Sequence, residues 1–216
     1  GVSLTQRDLR VMSVTTIIPV KPFAEGKSRL SAFLSDEQRY RLNRNMFLHV
    51  LKTVLPAQGI DDILVISRDE EALNLAEEAS AHAILENPNS NLNAALDVAR
   101  KASSSFNATA LLILPADLAK LEQTDLRDIL TSADEHAPAT PLVIIAPDES
   151  KRGTNALFIR PPDSINFLFG ANSLERHQAT AIDAGCKISI LNNPNLSCDI
   201  DEPKDLINID MNFWQS

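Results

Sequence analysis

The chain of 216 residues is 44% hydrophobic and carries a formal net charge of −9. This composition is enough for one domain with a sizeable core, and the acidic balance argues against a protein that wraps nucleic acid, which calls for a basic face. No apolar stretch approaches the ~20 residues of a membrane span, and no N-terminal segment has the layout of a signal peptide. Cys186 and Cys198 form no CxxC pair, so we expect reduced thiols in a cytoplasmic protein.

Short apolar runs alternate with helical patterns along most of the chain. Residues 1–13 are interpreted as an N-terminal appendage and residues 14–216 as one domain. The predicted strands cover residues 14–20, 61–67, 82–85, 108–114, 142–146, 155–160 and 186–191. The predicted helices cover residues 35–55, where Ser35 and Gln38 form a capping-box pattern, and residues 69–79, 91–101, 124–134, 173–184 and 202–209.

This alternation predicts an α/β fold with a mostly parallel, twisted sheet flanked by helices and joined by right-handed crossovers. The run over 108–114 is continuously apolar, which indicates a strand buried on both faces. Ligands of such sheets collect at the carboxyl ends of the strands. We therefore expect the loops after Val20, Leu114, Ala146 and Leu191 to share one edge.

The loop after the first strand, residues 21–30, places three cations, Lys21, Lys27 and Arg29, at this edge. Gly26-Lys27-Ser28 is similar to the end of a Walker A loop, but the earlier glycine of that motif is missing, so we reject a P-loop. The functional interpretation is a triphosphate cradle built from basic side chains and backbone N–H groups. An ordinary solvated basic loop is the alternative.

Three carboxylates are candidates for a metal site. Asp117 follows the most buried strand, where a carboxylate can hold Mg²⁺, although turns also favour aspartate. Asp199 and Asp201 alternate in an extended segment, so both are expected on one side, where they and Asp117 can form a cluster. Alternatively, Asp201 is the N-cap of the helix over 202–209, with Asp199 as the ligand.

Two further segments are polar enough to contact a ligand. Residues 147–155, which include Thr154, form a polar, basic loop between two predicted strands. This loop is either an ordinary hairpin loop or a place where a ligand approaches the backbone closely. Residues 169–173 enter a helix whose first N–H groups can bind an anion, with Ser173 as a simple N-cap as the alternative. His177 in that helix is by itself weak evidence for a functional site. No Ser-His-Asp or Cys-His set that would supply a protein nucleophile stands out in the sequence. Basic side chains and a metal ion without such a nucleophile are typical of phosphoryl or nucleotidyl transfer.

Six segments together resemble a known family. They are IIPVKPFAEGKSRLS (17–31), NLNAAL (91–96), LPADL (114–118), GTNALFIRPP (153–162), FGANSLERH (169–177) and CDIDEPKDL (198–206). This combination, spanning residues 14 to about 209, is similar to the phospholactate guanylyltransferases that build coenzyme F-420 in archaeal methanogens. The resemblance implies a single nucleotidyltransferase domain with a nucleotide-diphospho-sugar-transferase-like (Rossmann-like) fold, similar to the molybdenum-cofactor guanylyltransferases. It also implies GTP, Mg²⁺ and the acceptor 2-phospho-L-lactate, which bacterial relatives replace with phosphoenolpyruvate.

The resemblance also assigns roles to individual residues. It implies metal ligands at Asp117, Asp199 and Asp201, a triphosphate site made by Lys21, Lys27, Ser28 and Arg29, a ribose or base contact at Asn93, and acceptor contacts at Thr154, Gly170 and Ser173. The sequence departs from the family pattern at two positions, since we expect glycine in place of Asn91 and proline in place of Ala119. Asparagine tolerates a left-handed backbone better than most residues.

The reaction expected from these assignments is direct displacement. A phosphate oxygen of the acceptor attacks the α-phosphorus of GTP and pyrophosphate leaves, with Mg²⁺ on Asp117 and with Lys27 and Arg29 as the catalytic cations. Phosphoenolpyruvate and 3-phosphoglycerate are alternative acceptors. A nucleotide-sugar glycosyltransferase and a non-catalytic GTP-binding protein are the rival functions, and a homodimer is expected without a clear interface pattern.

Overall fold

Seven strands form one mixed sheet in the computed structural model, which describes residues 12–215. The strands are β1 (Val14–Val20), β2 (Ile60–Ser67), β3 (His82–Leu85), β4 (Ala110–Ile113), β5 (Leu142–Pro147), β6 (Thr154–Arg160) and β7 (Lys187–Ile190). Their spatial order is β3-β2-β1-β4-β6-β5-β7. Only β6 runs antiparallel to its neighbours β4 and β5. The predicted mostly parallel α/β sheet is therefore confirmed.

Residues 12–215 contain six α-helices, of which the first five match predicted helices and the last was not predicted. They are α1 (Asp36–Val54), α2 (Glu70–Glu78), α3 (Leu92–Ser103), α4 (Gln123–Asp134), α5 (Ser173–Asp183) and a short α6 (Asn212–Gln215). The capping box of Ser35 and Gln38 opens α1 with both of its hydrogen bonds, as predicted.

The predicted closing α-helix over 202–209 is wrong, because the segment Pro203–Asn208 is a 3₁₀ helix. Glu202 rather than Asp201 is its N-cap, in a capping box with Asp205. The carboxylate of Asp205 accepts hydrogen bonds from the backbone N–H groups of both Asp201 and Glu202. This satisfies the donors at the start of the turn, so the side chain of Asp201 is left outside the cap.

The sheet has one hydrophobic layer on each face, and a smaller third cluster includes Leu42, Met46 and Trp214. Helices α1, α2 and α4 pack on one face and α3 and α5 on the other. The four residues of β4 are all buried, with Leu112 in the first layer and Leu111 and Ile113 in the second. The prediction that this strand is covered on both faces is therefore confirmed.

The sheet direction places the loops after β1, β4, β5 and β7 at one edge, as predicted, and adds the amino end of the antiparallel β6. Residues 1–11 of the predicted appendage lie outside the described residues. Its last residue, Ser13, exchanges backbone hydrogen bonds with the Thr109 N–H and hydroxyl. Both cysteines are free thiols. Among the described residues, no helix is both long and apolar enough to cross a membrane.

Candidate active site

A cleft of about 410 Å³ opens at the carboxyl edge of the sheet, over the ends of β1 and β4. Because β1 and β4 are parallel neighbours, the loops that follow them meet there. The cleft is lined by the loop after β1, by the turn around Asp117, by residues 90–92 at the start of α3, and by Arg68, Glu86 and Asp201. The loops after β1 and β4 therefore share one edge, as predicted, and the assignment of a site there stays a prediction.

Lys27 and Asp117 form an ion pair at the floor of this cleft, with 2.8 Å between Lys27 Nζ and Asp117 Oδ2. The backbone turns sharply to bring the lysine in, since Gly26 and Lys27 both have positive φ angles, of 80° and 56°. A non-glycine residue in this conformation costs about 1 kcal/mol or more. Burial lowers the pKa of Lys27, but the charges of Asp117, Asp201 and Asp199 together with the hydrogen bond outweigh it, so the pKa lies above its ordinary value and the ammonium stays charged.

The second oxygen of Asp117, Oδ1, is buried and has no hydrogen-bond partner among the described residues. Asp199 lies close by, because the N–H of Ile200 donates to the backbone carbonyl of Asp117 at 3.4 Å. Burial and then the charge of Asp117 raise the pKa of Asp199 above its ordinary value, while a hydrogen bond from Asn155, at 3.1 Å, opposes this. Two neighbouring carboxylates, one with an unpaired buried oxygen, suit a hard cation that takes oxygen ligands.

The three predicted metal ligands do not meet as one group. Asp201 instead pairs with Arg29, at 3.2 Å between Oδ2 and Nη1, and the same guanidinium nitrogen lies 3.1 Å from Glu202. Within residues 12–215, no set of three or more His, Cys, Asp or Glu side chains is grouped closely enough to hold a metal ion. The residues present therefore fit a cation held by Asp117 and Asp199, and metal binding by these two stays a prediction.

The predicted triphosphate cradle is only partly gathered in the cleft. Lys21 and Lys27 line it, whereas Ser28 and Arg29 lie outside its lining residues and the side chain of Arg29 is 65% exposed. Arg29 sits at the rim because Asp201 and Glu202 hold it there.

Sequence reasoning missed Arg68, which lines the same cleft. Its guanidinium binds the carboxylate of Glu25 with both Nη atoms, at 3.2 and 2.7 Å, and so braces the loop after β1. The hydrogen bond to Arg68 lowers the pKa of Glu25, which therefore stays ionised. The sequence position of Arg68 could have indicated this, because Arg68 directly follows β2, a strand parallel to β1 that ends at the same edge.

The start of α3 explains why asparagine can replace the expected glycine at position 91. Asn91 is the N-cap of α3, with an extended backbone (φ −122°) and a side chain that accepts from the N–H of Ala94. A left-handed backbone is therefore not required. Asn93 bonds both backbone groups of Phe169, at 3.0 and 2.9 Å. Its amide retains one donor and one acceptor, so its contact with the nucleotide stays a prediction.

The predicted acceptor residues lie together on the β6 side of the edge. The N–H of Thr154 donates to Ser173 Oγ at 2.9 Å, and the two hydroxyl oxygens are 3.1 Å apart. Gly170 has a φ of +125°, a backbone conformation that favours glycine. A Cβ atom at this position would have no neighbouring atom within 4 Å. The next residue, Asn155, donates to Asp199 Oδ1 at 3.1 Å, whereas the hydroxyl of Thr154 bonds Ser173 and His177 of α5.

His177 is a buried core histidine behind the hydroxyl pair. Its Nδ1 lies 2.9 Å from Thr154 Oγ1, and its Nε2 accepts from the N–H of Leu168 at 3.0 Å. Burial, followed by the positive charge of Arg176, lowers the pKa of His177 to about 4, against a smaller opposing effect of the Ser173 backbone. The ring is therefore neutral near pH 7.

Solved structures share this fold at low sequence identity. The 4-diphosphocytidyl-2C-methyl-D-erythritol synthase of Anaerococcus prevotii superposes with a TM-score of 0.60 at 10% identity, covering 92% of this chain and 94% of that one. A cytidylyltransferase from Leptospira borgpetersenii has a TM-score of 0.59 at 12% identity, covering 90% and 84%. The fold is thus of the nucleotide-diphospho-sugar transferase type.

Sequence comparison then gives the family. The chain belongs to the family described as "Guanylyl transferase CofC like", whose model matches residues 14–213. It is 38% identical to the phosphoenolpyruvate guanylyltransferase of Rubrobacter xylanophilus, over 92% of this chain and 94% of that protein. It is 32% identical to the 2-phospho-L-lactate guanylyltransferase of Methanocaldococcus vulcanius, over 88% and 81%. The predicted guanylyltransferase activity in coenzyme F-420 biosynthesis is therefore confirmed at the level of the family.

Proposed function

We propose that the protein transfers GMP from GTP to phosphoenolpyruvate, with release of pyrophosphate. The observation that carries the choice of acceptor is the greater similarity to proteins named phosphoenolpyruvate guanylyltransferase, with 38% and 34% identity in two bacterial relatives. Because relatives named 2-phospho-L-lactate guanylyltransferase are 30–32% identical over most of the chain, 2-phospho-L-lactate, the acceptor expected from the sequence in a methanogen, is the second candidate.

In this reaction a phosphate oxygen of the acceptor forms a bond to the α-phosphorus of GTP, and the bond between the α-phosphorus and the bridging oxygen breaks. The leaving pyrophosphate carries the additional negative charge. Lys27 and Lys21, which line the cleft, neutralise this charge and orient the triphosphate. Asp117 and Asp199 would hold Mg²⁺, which polarises the α-phosphate when bound.

The ion pair between Lys27 and Asp117 implies an exchange of partners when GTP enters. The ammonium of Lys27 lies 2.8 Å from Asp117 Oδ2 and neutralises its charge. A triphosphate offers the lysine new oxygen ligands, which frees Oδ2 of Asp117 beside the already unpaired Oδ1. Lys27 therefore keeps the carboxylate neutralised until the nucleotide arrives.

The acceptor is proposed to bind beside Asp199, on the hydroxyl pair of Thr154 and Ser173. Thr154 begins β6 and Ser173 begins α5, at the same edge of the sheet as the ends of β1 and β4. Hydroxyl donors suit the carboxylate or phosphate oxygens that phosphoenolpyruvate and 2-phospho-L-lactate share. This arrangement explains the shared acceptor class and leaves the choice between the two to local contacts.

A pyrophosphate-release assay with four nucleotides and three acceptors tests the proposal. We expect release with GTP and phosphoenolpyruvate, and a lower kcat/KM with 2-phospho-L-lactate or 3-phosphoglycerate. The absence of pyrophosphate from every pairing that contains GTP would contradict guanylyl transfer. We also propose a homodimer, which light scattering coupled to gel filtration measures directly.

A further inference from the structure

A buried chain of hydrogen bonds runs from the backbone of Leu168 through His177 to Thr154. The N–H of Leu168 donates to His177 Nε2 at 3.0 Å, and His177 Nδ1 lies 2.9 Å from Thr154 Oγ1. The histidine is 0% exposed. It lies behind the candidate acceptor site, so it does not touch the cleft itself.

The direction of each hydrogen bond follows from the first one. A backbone N–H can only donate, so Nε2 of His177 must be the unprotonated nitrogen. The neutral ring then carries its proton on Nδ1 and donates it to Thr154 Oγ1. A proton on Nε2 would face the N–H of Leu168, so both the other tautomer and the imidazolium are disfavoured, in agreement with the lowered pKa of His177.

The hydroxyl pair then has one hydrogen to spare. Thr154 and Ser173 have two hydroxyl hydrogens between them, and one of these is used across the 3.1 Å contact between their oxygens. The other cannot point to His177, because Nδ1 is a donor. No second acceptor for it is found among residues 12–215. The pair therefore has one O–H donor that no described residue accepts.

The same ring also fixes the loop that carries Gly170. His177 holds Leu168 from α5, and Asn93 holds both backbone groups of Phe169 from α3. The ring of Phe169 packs edge-on against His177 with 5.0 Å between ring centroids. Two helices on one face of the sheet thus pin the loop just before Gly170.

We propose that His177 is a positioning residue for the acceptor: it directs the Thr154–Ser173 pair to donate a hydrogen bond to an anionic oxygen of the phosphorylated acid. This inference rests on the proposed function and deepens it. It explains why a neutral ring that cannot act as a general acid or base in the cleft is placed directly behind the two hydroxyls. The pair favours a carboxylate or phosphate oxygen over a ligand group that is itself a donor.

Two substitutions separate the two hydrogen bonds of the ring. In His177→Asn the amide nitrogen lies near the position of Nδ1 and keeps a donor for Thr154. In His177→Gln the longer side chain reaches the position of Nε2 and keeps an acceptor for Leu168. We expect His177→Gln to raise the KM for phosphoenolpyruvate roughly tenfold, the effect of about one hydrogen bond, with a smaller rise in His177→Asn and the KM for GTP unchanged in both.

His49→Gln is the matched control, because His49 also bonds the backbone, at 2.8 Å from the carbonyl of Leu121, but lies on α1. We expect the control to leave both KM values unchanged. An equal loss in both His177 variants, or a parallel rise in the KM for GTP, would overturn the proposal and leave His177 a purely structural residue. Thermal unfolding of each variant identifies any loss that follows from misfolding.

Nitrogen-15 NMR of the histidine rings tests the proposal without relying on turnover. We expect Nδ1 of His177 to be protonated and Nε2 unprotonated at pH 7, with the Nδ1 resonance shifting when phosphoenolpyruvate or inorganic phosphate is added. The opposite tautomer, or no shift with either anion, would overturn the positioning role. If the wild-type protein releases no pyrophosphate from GTP, the proposed function fails, and the NMR result still decides the role of His177 toward an anion.

Discussion

The two ends of the candidate site, around Asp117 and around Thr154, differ in the charge of their groups. Around Asp117 the groups are charged, an ammonium and a carboxylate pair at 2.8 Å, and one carboxylate oxygen is left without a partner. Around Thr154 the groups are neutral. Its hydroxyl oxygen forms hydrogen bonds with His177 Nδ1 and with Ser173 Oγ. The charged end can exchange its partners during the reaction, whereas the neutral end is already organised before the acceptor arrives.

The strongest test of this contrast is Asp117→Asn. The amide keeps the size of the side chain but removes the charge that pairs with Lys27 and would hold the cation. We expect kcat to fall by roughly 10³-fold, about 4 kcal/mol of transition-state stabilisation, with a folded protein by circular dichroism. Asp183→Asn, at the exposed end of α5, is the control. Near-normal turnover in Asp117→Asn would remove this residue from the charged end.

The neutral end has its own test in the pH dependence of stability. Because the pKa of His177 is about 4 in the folded protein and 6.5 ordinarily, the unfolded chain takes up a proton between pH 6.5 and 4 that the folded protein does not. The free energy of unfolding should therefore decrease as the pH falls through this window, by about 3 kcal/mol in total, and be unaffected by this group above it.

Urea unfolding of the wild type and of His177→Gln at several pH values between 7 and 4 measures this contribution. Contributions from the other titrating groups cancel in the difference between the two proteins. We expect the stability advantage of the wild type to shrink as the pH falls. A constant difference over this range would show that the ring is not held neutral.

Lys27→Met tests the exchange of partners at the charged end. The loss of a charge-assisted hydrogen bond should weaken GTP binding by about 10- to 100-fold in calorimetry. Because the ammonium no longer neutralises Asp117, the variant should bind Mg²⁺ more tightly than the wild type in the absence of nucleotide. Lys52→Met on the exposed side of α1 is the control, and an unchanged affinity for GTP would exclude Lys27 from the cradle.

The smallest effect is expected for Arg29→Ala. Its side chain is 65% exposed and is held by Asp201 and Glu202 at the rim, where an ion pair contributes about 0–1 kcal/mol. The KM for GTP should change less than about fivefold. A loss as large as that of Lys27→Met would show that Arg29 swings into the cleft when GTP binds, as the sequence predicted for a catalytic cation.

Local patterns were enough to predict most of the fold and the edge that carries the site. The period of apolar residues identified the strands, the capping box at Ser35 began α1 where expected, and the position of Asp117 after a strand buried on both faces placed it in the cleft. Each of these depends on residues close together in the sequence, which is why a single chain reveals them.

Side-chain partners across long separations were decided only by the tertiary structure. Lys27 meets Asp117, 90 residues away. Asp201 pairs with Arg29, because Glu202 is the N-cap and Asp205 accepts from the N–H groups there. Arg68 enters the cleft, and His177 reaches Thr154, only because parallel strands and packed helices bring their ends together. The sequence alone determined which residues stand at the edge of the sheet, and packing decided which of them touch, since that depends on register and on competition among partners.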